Sequence, residues 1–198
     1  MNFAEYNVKD ANLEEILLAL KSLDTVEAVA LGGSRSTGAS DENSDYDIYI
    51  YCAEIPTAET RENLLGKYCS IAEFGNHYWE SEDNTVMNNG IPVDIIYREV
   101  DRFGRYIDTV IKGGKAFNGY TTAFWHNIKN SKVLFDKTGT FTKFRDMAQI
   151  DFPENLRSAI IKNNRNLLNG KLPSYDRQIK KAQERGDIVS VNHRITEI

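Results

Sequence analysis

The stretch VEAVALGGSRSTGASDENSDYDI, residues 26–48, carries most of what the sequence says about the fold. Residues 26–31 form a short apolar run, which predicts a buried strand that ends at Gly32 and Gly33. A polar segment follows, and residues 45–51 then alternate between polar and apolar side chains, as a half-buried strand does. We therefore predict two strands joined by a glycine turn and a polar loop.

Helical and strand patterns lie on both sides of this stretch. Upstream, apolar residues at helical spacing over 13–20 predict a one-sided helix, with Asn12 and Glu15 as a capping pair. Downstream, the dipeptide Asn89-Gly90 between two apolar segments predicts a β-hairpin. Further helices are predicted over 57–69, 101–112, 121–131, 153–168 (with Pro153 as the first residue) and 188–198, and an extended segment over 133–135.

These elements predict an α/β (α+β) fold, in which a small mixed sheet flanked by helices is followed by a mainly helical C-terminal region. Residues 1–111 hold 8 Lys and Arg against 21 Asp and Glu, whereas residues 112–198 hold 16 against 8. This asymmetry has two interpretations. The charges form two solvated faces, or the acidic half holds cations and the basic half holds phosphates. We place domains at 1–115 and 116–198. Because the last helical pattern stops at an apolar residue without a cap, we expect a truncated chain.

Composition excludes several classes of protein. With 198 residues and 41% hydrophobic residues, the chain is long enough for a real core, and no apolar run approaches the roughly 20 residues of a membrane span. The first residues lack a signal-peptide pattern, and Cys52 and Cys69 form neither a disulfide framework nor a cysteine metal site. A net charge of −5 argues against indiscriminate binding of nucleic acid. We therefore expect a cytoplasmic protein without a membrane partner.

Three familiar motifs nearly fit the polar loop and fail. Phosphate-binding P-loop spacing is present, but Ala39 stands where the lysine belongs. A nucleophile elbow begins at the glycine turn, but Ser36 replaces its closing glycine. An EF-hand loop is excluded because Tyr46 replaces its glycine and Cys52 its final glutamate. The loop therefore needs another explanation.

The carboxylates of the second strand supply one. Asp45 and Asp47 are two residues apart, so they share one face of the strand and their oxygens can converge on the same cations. Asp94 lies in another predicted strand among apolar residues, where an ionised carboxylate is costly unless a cation is near. Hard oxygen ligands of this kind suit Mg²⁺. The pattern indicates a metal site if the two strands are neighbours.

The glycine turn complements these carboxylates. Gly32 and Gly33 allow the backbone to approach a ligand closely, and a helix that began near Ser34 would direct free N–H groups at an anion. Ser34 adds a hydroxyl group, and Arg35 adds a planar donor fork for phosphate oxygens. The sequence thus predicts a triphosphate cradle beside a site for two metal ions.

The Gly-Gly-Ser turn, the segment Ser44-Asp45-Tyr46-Asp47 and the later Asp94 together resemble the polymerase-β-type nucleotidyltransferase superfamily. Within it, the length, acidic balance and appended helices look most like bacterial aminoglycoside and lincosamide nucleotidyltransferases and their uncharacterised relatives. The motif resemblance covers residues of about 26–98. It implies that Asp45 and Asp47 hold two Mg²⁺ ions, and that Asp94 holds the catalytic one and helps to deprotonate the acceptor. The residues assigned to nucleotide binding are Gly32, Gly33, Ser34, Arg35 and Ser44.

Other candidates are less specific. Lys162 and Arg165 lie three apart on a predicted helix, so both are candidate triphosphate clamps or members of a solvated face. The acidic run 79–83 either lines an acceptor pocket or forms a solvated loop, and Glu80 within it is a candidate general base. Tyr49 is a candidate for stacking on a nucleobase or lining its pocket. Weaker candidates for phosphate contacts are Gln178, Lys181 and Arg185. The three histidines have no metal-ligand spacing, so we expect packing or surface roles for His77, His126 and His193.

The expected function is Mg²⁺-dependent transfer of a nucleoside monophosphate, most often AMP, from an NTP such as ATP to a hydroxyl of a small molecule, with release of pyrophosphate. The resemblance also suggests a role like that of antibiotic-resistance enzymes. Three alternatives stay open: modification of a protein hydroxyl, as in toxin–antitoxin pairs; extension of a polynucleotide; and a non-catalytic nucleotide-binding module.

Overall fold

The computed structural model describes residues 10–41 and 44–198. The first nine residues, with their lack of a signal-peptide pattern, and two residues of the predicted polar loop lie outside the described part. The chain forms two compact units. The sheet unit comprises the described residues up to Ile107 together with Phe124–Gln149, and the helical unit comprises Asp108–Ala123 and Ile150–Ile198. The predicted domain boundary between residues 115 and 116 stays a prediction.

The sheet unit is built on a six-stranded mixed sheet. Its spatial order is β3-β4-β5-β2-β1-β6, and β2 pairs with β5 in parallel while the other neighbours pair antiparallel. This arrangement confirms the predicted fold class. The strands are β1 (Val26–Leu31), β2 (Tyr46–Cys52), β3 (Cys69–Asn76), β4 (Ser81–Met87), β5 (Pro92–Glu99) and β6 (Lys132–Asp136).

Helices cover the sheet and make up the C-terminal region. None of the described helices is both long and apolar enough to span a bilayer. The α-helices are α1 (Ala11–Lys21), α2 (Gly33–Thr37), α3 (Ala58–Leu65), α4 (Val100–Ile111), α5 (Ala123–Asn130), α6 (Thr140–Ala148), α7 (Glu154–Arg165), α8 (Tyr175–Glu184) and α9 (Ile188–Thr196). A 3₁₀ turn, Gly66–Tyr68, follows α3, and a π-helical turn, Asn166–Gly170, follows α7.

Side-chain alternation separates the core face of the sheet from the site face. In β2, Tyr46, Ile48 and Ile50 belong to the core cluster, which also contains the apolar stripe of α1. The intervening residues Asp47 and Tyr49 therefore point to the opposite face. The same alternation in β5 puts Val93, Ile95 and Tyr97 in the core cluster and Asp94 on the face of Asp47. We call this second face the site face.

Helix starts differ in detail from the predictions. Asp10 caps α1, because its side chain accepts hydrogen bonds from the backbone N–H groups of Asn12 and Leu13. The predicted capping pair of Asn12 and Glu15 is therefore wrong: both lie inside the helix. Pro153 is the N-cap of α7 and not its first helical residue.

The acidic run of residues 79–83 does not form a solvated loop, which was one of the two structures predicted for it. Its last three residues begin β4, and Asp83 is fully buried. The Asp83 carboxylate lies 3.0 Å from Nη1 of Arg61 in α3 and accepts a hydrogen bond from the backbone N–H of Gly75. The ion pair with Arg61 thus allows Asp83 to be buried in the interior.

Candidate active site

Asp47 and Asp94 lie side by side on the site face. β2 and β5 are parallel neighbours, and these two residues are direct partners in the pairing register. Both side chains are half-buried, while Asp45, just before β2, is exposed. The strands of Asp47 and Asp94 are neighbours, as the predicted metal site requires, and the convergence of all three carboxylates on a metal stays a prediction.

The glycine turn packs directly against these carboxylates. The backbone N–H of Gly32 donates a 2.8 Å hydrogen bond to the carbonyl oxygen of Asp47, which joins the turn to β2. Gly33 has φ +57°, and a Cβ atom built on it would lie 1.7 Å from Oδ2 of Asp47. A Cβ on Gly32 would lie 2.2 Å from the Tyr49 ring. Only glycine fits at both positions, because any side chain would displace the groups that the turn covers.

Arg35 fixes the segment that leads into β2. Its Nε donates hydrogen bonds of 3.0 and 2.9 Å to the carbonyl oxygens of Ser44 and Asp45, and its guanidinium lies 4.0 Å from the centre of the Tyr46 ring. These contacts hold the backbone beside the carboxylates in place. Sequence reasoning gave Arg35 a phosphate-binding role, which stays a prediction; the observed contacts are to the protein backbone.

Asp47 is in a strongly acidic environment. Burial and then the charges of Asp45 and Asp94 raise the pKa of Asp47 from 3.8 to about 6. Desolvation disfavours the ionised carboxylate, and the neighbouring negative charges disfavour it further. At neutral pH, ionisation of Asp47 beside Asp45 and Asp94 therefore destabilises the folded protein.

The donor set fits a hard divalent cation. Within residues 10–41 and 44–198, none of these three carboxylates forms an ion pair with Lys or Arg. In the same ranges, no three His, Cys, Asp or Glu side chains are grouped so that they would hold a metal by themselves. Mg²⁺ is commonly bound by one or two carboxylates with water and substrate phosphates. The fit is therefore to an open site whose remaining ligands come from water or a bound substrate.

A chain of amides supports Asp94, and the sequence analysis missed it. Nδ2 of Asn84 donates a 2.9 Å hydrogen bond to Oδ1 of Asp94, and Nδ2 of Asn76 donates one of 2.7 Å to Oδ1 of Asn84. Asn84 and Asp94 are direct partners between β4 and β5. The row Asn84, Asp94 and Asp47 therefore crosses three strands in register.

A buried arginine supports the glycine turn from below. Arg98 donates through Nε and Nη2 to the two carboxylate oxygens of Glu80, at 2.8 and 2.7 Å. Its guanidinium lies 4.2 Å from the centre of the Tyr49 ring, which is 9% exposed and packs under Gly32. Tyr49 is thus a support for the turn, and its contact with a nucleobase stays a prediction. Glu80 is paired through both oxygens, so a general-base role is unsupported.

The remaining predicted residues occupy different surroundings. Ser34 is half-buried in the first turn of α2, and Ser44 precedes β2, where its hydroxyl donates to Oδ1 of Asp41 at 2.9 Å. Lys162 and Arg165 belong to the helical unit, where both are exposed near the end of α7. The nucleotide-binding roles of all four stay predictions.

Two solved structures are similar to this chain at low identity. One is a crystal structure of a toxin–antitoxin with AMP-PNP: it is 16% identical, has a TM-score of 0.39, and the match covers 89% of this chain and 96% of that chain. The other is a nucleotidyltransferase-like protein from Exiguobacterium sibiricum 255-15, which is 9% identical with a TM-score of 0.46. That match covers 94% of this chain and 53% of the other, so this chain spans about half of that protein's length.

Comparison of sequences gives the family. No curated protein is significantly similar to the chain. The model of the nucleotidyltransferase domain matches residues 13–117, which is more than half of the chain and includes the glycine turn and all three carboxylates. The chain belongs to the nucleotidyltransferase domain family.

Proposed function

We propose that this nucleotidyltransferase transfers AMP from ATP to a hydroxyl group of a small-molecule acceptor, with Mg²⁺ bound by Asp45, Asp47 and Asp94. The observation that carries the proposal is the register pairing of Asp47 with Asp94 directly beside Gly33. Two carboxylates therefore lie next to a backbone turn that has no side chain at Gly33. This combination supports a metal-dependent reaction of a nucleoside triphosphate.

The reaction is a displacement at the α-phosphorus. The acceptor oxygen forms a bond to that phosphorus, the bond to the α,β-bridging oxygen breaks, and pyrophosphate leaves with the bridging oxygen. The acceptor hydroxyl loses its proton, for which the Asp94 carboxylate is the proposed acceptor. When bound, Mg²⁺ would neutralise charge at the phosphates and lower the pKa of the attacking hydroxyl.

The protein's own part is to position the reactants. The glycine turn brings backbone groups of Gly33 and Ser34 to the β- and γ-phosphates, with Gly32 and Ser44 beside them in the proposed nucleotide site. The Arg35 contacts to the Ser44 and Asp45 carbonyl oxygens hold this backbone in place. Catalysis in phosphoryl transfer is mostly positioning and charge stabilisation, which such a site provides.

Two basic residues of the helical unit are the remaining proposed nucleotide-binding residues. Lys162 and Arg165 lie three residues apart in the last turns of α7, where both side chains are exposed. Residues at this spacing share a helix face, so the two cations can act on the same anion. We propose that they bind a phosphate group of the nucleotide.

The acceptor is proposed to be a small molecule. The net charge of −5 and a sequence without a strongly basic stripe disfavour a polynucleotide acceptor, because binding its many phosphates needs an extended basic surface. A hydroxyl group is the proposed nucleophile because a metal ion held by the carboxylates would lower the pKa of that group.

The test is a transfer assay with radiolabelled nucleotides. Purified protein is incubated with Mg²⁺ and each of the four NTPs, labelled at the α-phosphate, against panels of hydroxylated small molecules and against total protein. We expect pyrophosphate release and labelling of a small molecule, greatest with ATP. Preferential labelling of a protein would instead identify a protein acceptor, and nucleotide binding without any transfer would identify a binding module.

A further inference from the structure

The polar row on the site face continues past the carboxylates. Asn84 lies directly opposite Asp94, and Asp94 lies directly opposite Asp47, on three successive strands. Asn84 is half-buried and uncharged, so it adds no negative charge to a site that already carries three carboxylates. An aspartate at position 84 would add a fourth charge. Its amide instead brings a hydrogen-bond donor to the edge of the site.

The orientation of this amide follows from its own partner. Nδ2 of Asn76 donates to Oδ1 of Asn84, which identifies that oxygen as the acceptor and directs Nδ2 of Asn84 at Asp94. Asn76 also donates to Oε2 of Glu73 at 3.3 Å, so its own amide is held by two acceptors. The hydrogen bonds in this chain of amides are therefore donated in one direction, from Asn76 to Asn84 and from Asn84 to Oδ1 of Asp94.

We propose that Asn84 is a positioning residue that holds the Asp94 carboxylate through Oδ1 and directs Oδ2 to the metal and the acceptor proton. The inference rests on the proposed function, because it assigns a partner to one of its catalytic carboxylates. Partners that orient a metal ligand fix the rotamer of its carboxylate and the direction of its lone pairs. Without the amide, Asp94 is free to rotate away from the charge of Asp47.

The test is Mn²⁺ binding measured by electron paramagnetic resonance, in the presence of α,β-methylene-ATP, so that no acceptor is needed. Asn84→Ala removes the amide, and Asn84→Leu removes the donor while keeping a side chain of similar size. Asn88→Ala is the matched control, because Asn88 follows β4 and donates to the carbonyl oxygen of Lys67, away from the carboxylates. We expect both Asn84 variants to bind Mn²⁺ about 10- to 100-fold more weakly, and the control to bind like the wild type.

A second readout uses the transfer reaction. We expect both Asn84 variants to lose about 10- to 100-fold in kcat, while KM for ATP changes by less than about threefold, because the triphosphate contacts lie on the glycine turn. Folded protein is verified from thermal melting. A merely structural residue would lower the melting temperature without changing the Mn²⁺ affinity of the folded protein.

The outcomes separate the two proposals. Wild-type protein that binds no Mn²⁺ with the nucleotide analogue would overturn the proposed function itself. Wild-type binding that persists unchanged in a folded Asn84 variant would overturn the role of Asn84 alone. If Asn84→Ala does not fold, Asn84→Leu decides by the same criterion.

Discussion

Gly33 and Asp47 occupy adjoining space, so that a single methyl group at position 33 would lie 1.7 Å from Oδ2 of Asp47. The turn is therefore built around the carboxylate, and neither can change without the other. Gly33 also has φ +57°, a conformation that side chains disfavour. This contact joins the proposed phosphate-binding segment to the proposed metal site.

The first prediction separates the contact from the backbone strain. Gly33→Ala is expected to abolish transfer, because the new methyl group displaces the Asp47 carboxylate, and to destabilise the fold. Gly38→Ala is the matched control, since Gly38 has φ +79° but open space around its Cβ position. Both variants should lose about 1–2 kcal/mol from strain in a urea titration. Activity retained in Gly33→Ala would mean that Asp47 need not stay where the structure has it.

The second prediction concerns stability and pH. The pKa of Asp47 is raised to about 6 in the folded protein, compared with 3.8 ordinarily, so the folded state holds this proton more tightly than the unfolded chain. Metal-free wild-type protein should therefore lose stability as the pH rises from about 4 to about 6. Asp47→Asn removes this cost and should be more stable than wild type at pH 8, by about 1–2 kcal/mol after allowance for partial exposure.

Urea unfolding in EDTA between pH 4 and pH 8 measures this effect. The difference between Asp47→Asn and wild type should shrink toward pH 4, where the carboxyl group is protonated. Asp24→Asn provides the same charge change at an exposed position of the sheet unit. If Asp47→Asn is no more stable than Asp24→Asn at pH 8, burial and the neighbouring carboxylates do not disfavour the ionised form of Asp47 as described.

The third prediction assigns Glu80 to structure. Glu80→Gln leaves the Arg98 guanidinium, with a side chain 2% exposed, without its anionic partner. We expect a loss of about 3 kcal/mol, at the low end for a broken buried pair because Glu80 is 23% exposed. Glu154→Gln breaks a solvent-exposed pair with Arg157 and should cost less than about 1 kcal/mol.

Kinetics distinguish this role from general-base catalysis. Per folded molecule, Glu80→Gln should keep kcat within about threefold, whereas loss of a general base typically costs 10²- to 10⁴-fold. A drop of that larger size, in protein whose folding is verified by melting, would restore Glu80 to the reaction.

Local patterns in the sequence predicted the strands that carry the carboxylates. Alternation over residues 45–51 gave β2 with Asp47 facing away from the core, and Asn89-Gly90 gave the hairpin that ends in β5. Two apolar runs that flank a tight turn leave little freedom in how they pair. These local signals placed Asp47 and Asp94 on strands; that the two strands are neighbours was a condition of the prediction and did not follow from them.

Long-range pairing was beyond such patterns. The parallel pairing of β2 with β5 joins segments that are far apart in the sequence, and no short motif encodes it. Asn84 lies within the predicted hairpin, but the apolar pattern marks only the end of β4, so its position opposite Asp94 was missed. β3 was missed because it is an edge strand whose residues are largely exposed, so its hydrophobic pattern is weak. Arg98 had no specific signal, because it and Glu99 follow the apolar residues 95–97 as charged residues commonly follow a strand core.

The most direct measurement is transfer of labelled AMP from ATP to the acceptor by Asp47→Asn and Asp94→Asn, at saturating Mg²⁺ and beside Asp24→Asn as the exposed control. We predict that each site variant loses more than about 100-fold in kcat while remaining folded, because removing a ligand should exceed the 10- to 100-fold cost of removing a ligand's partner. The control should match the wild type. Turnover by folded Asp47→Asn or Asp94→Asn equal to that of the wild type would contradict the assignment of these paired carboxylates to catalysis.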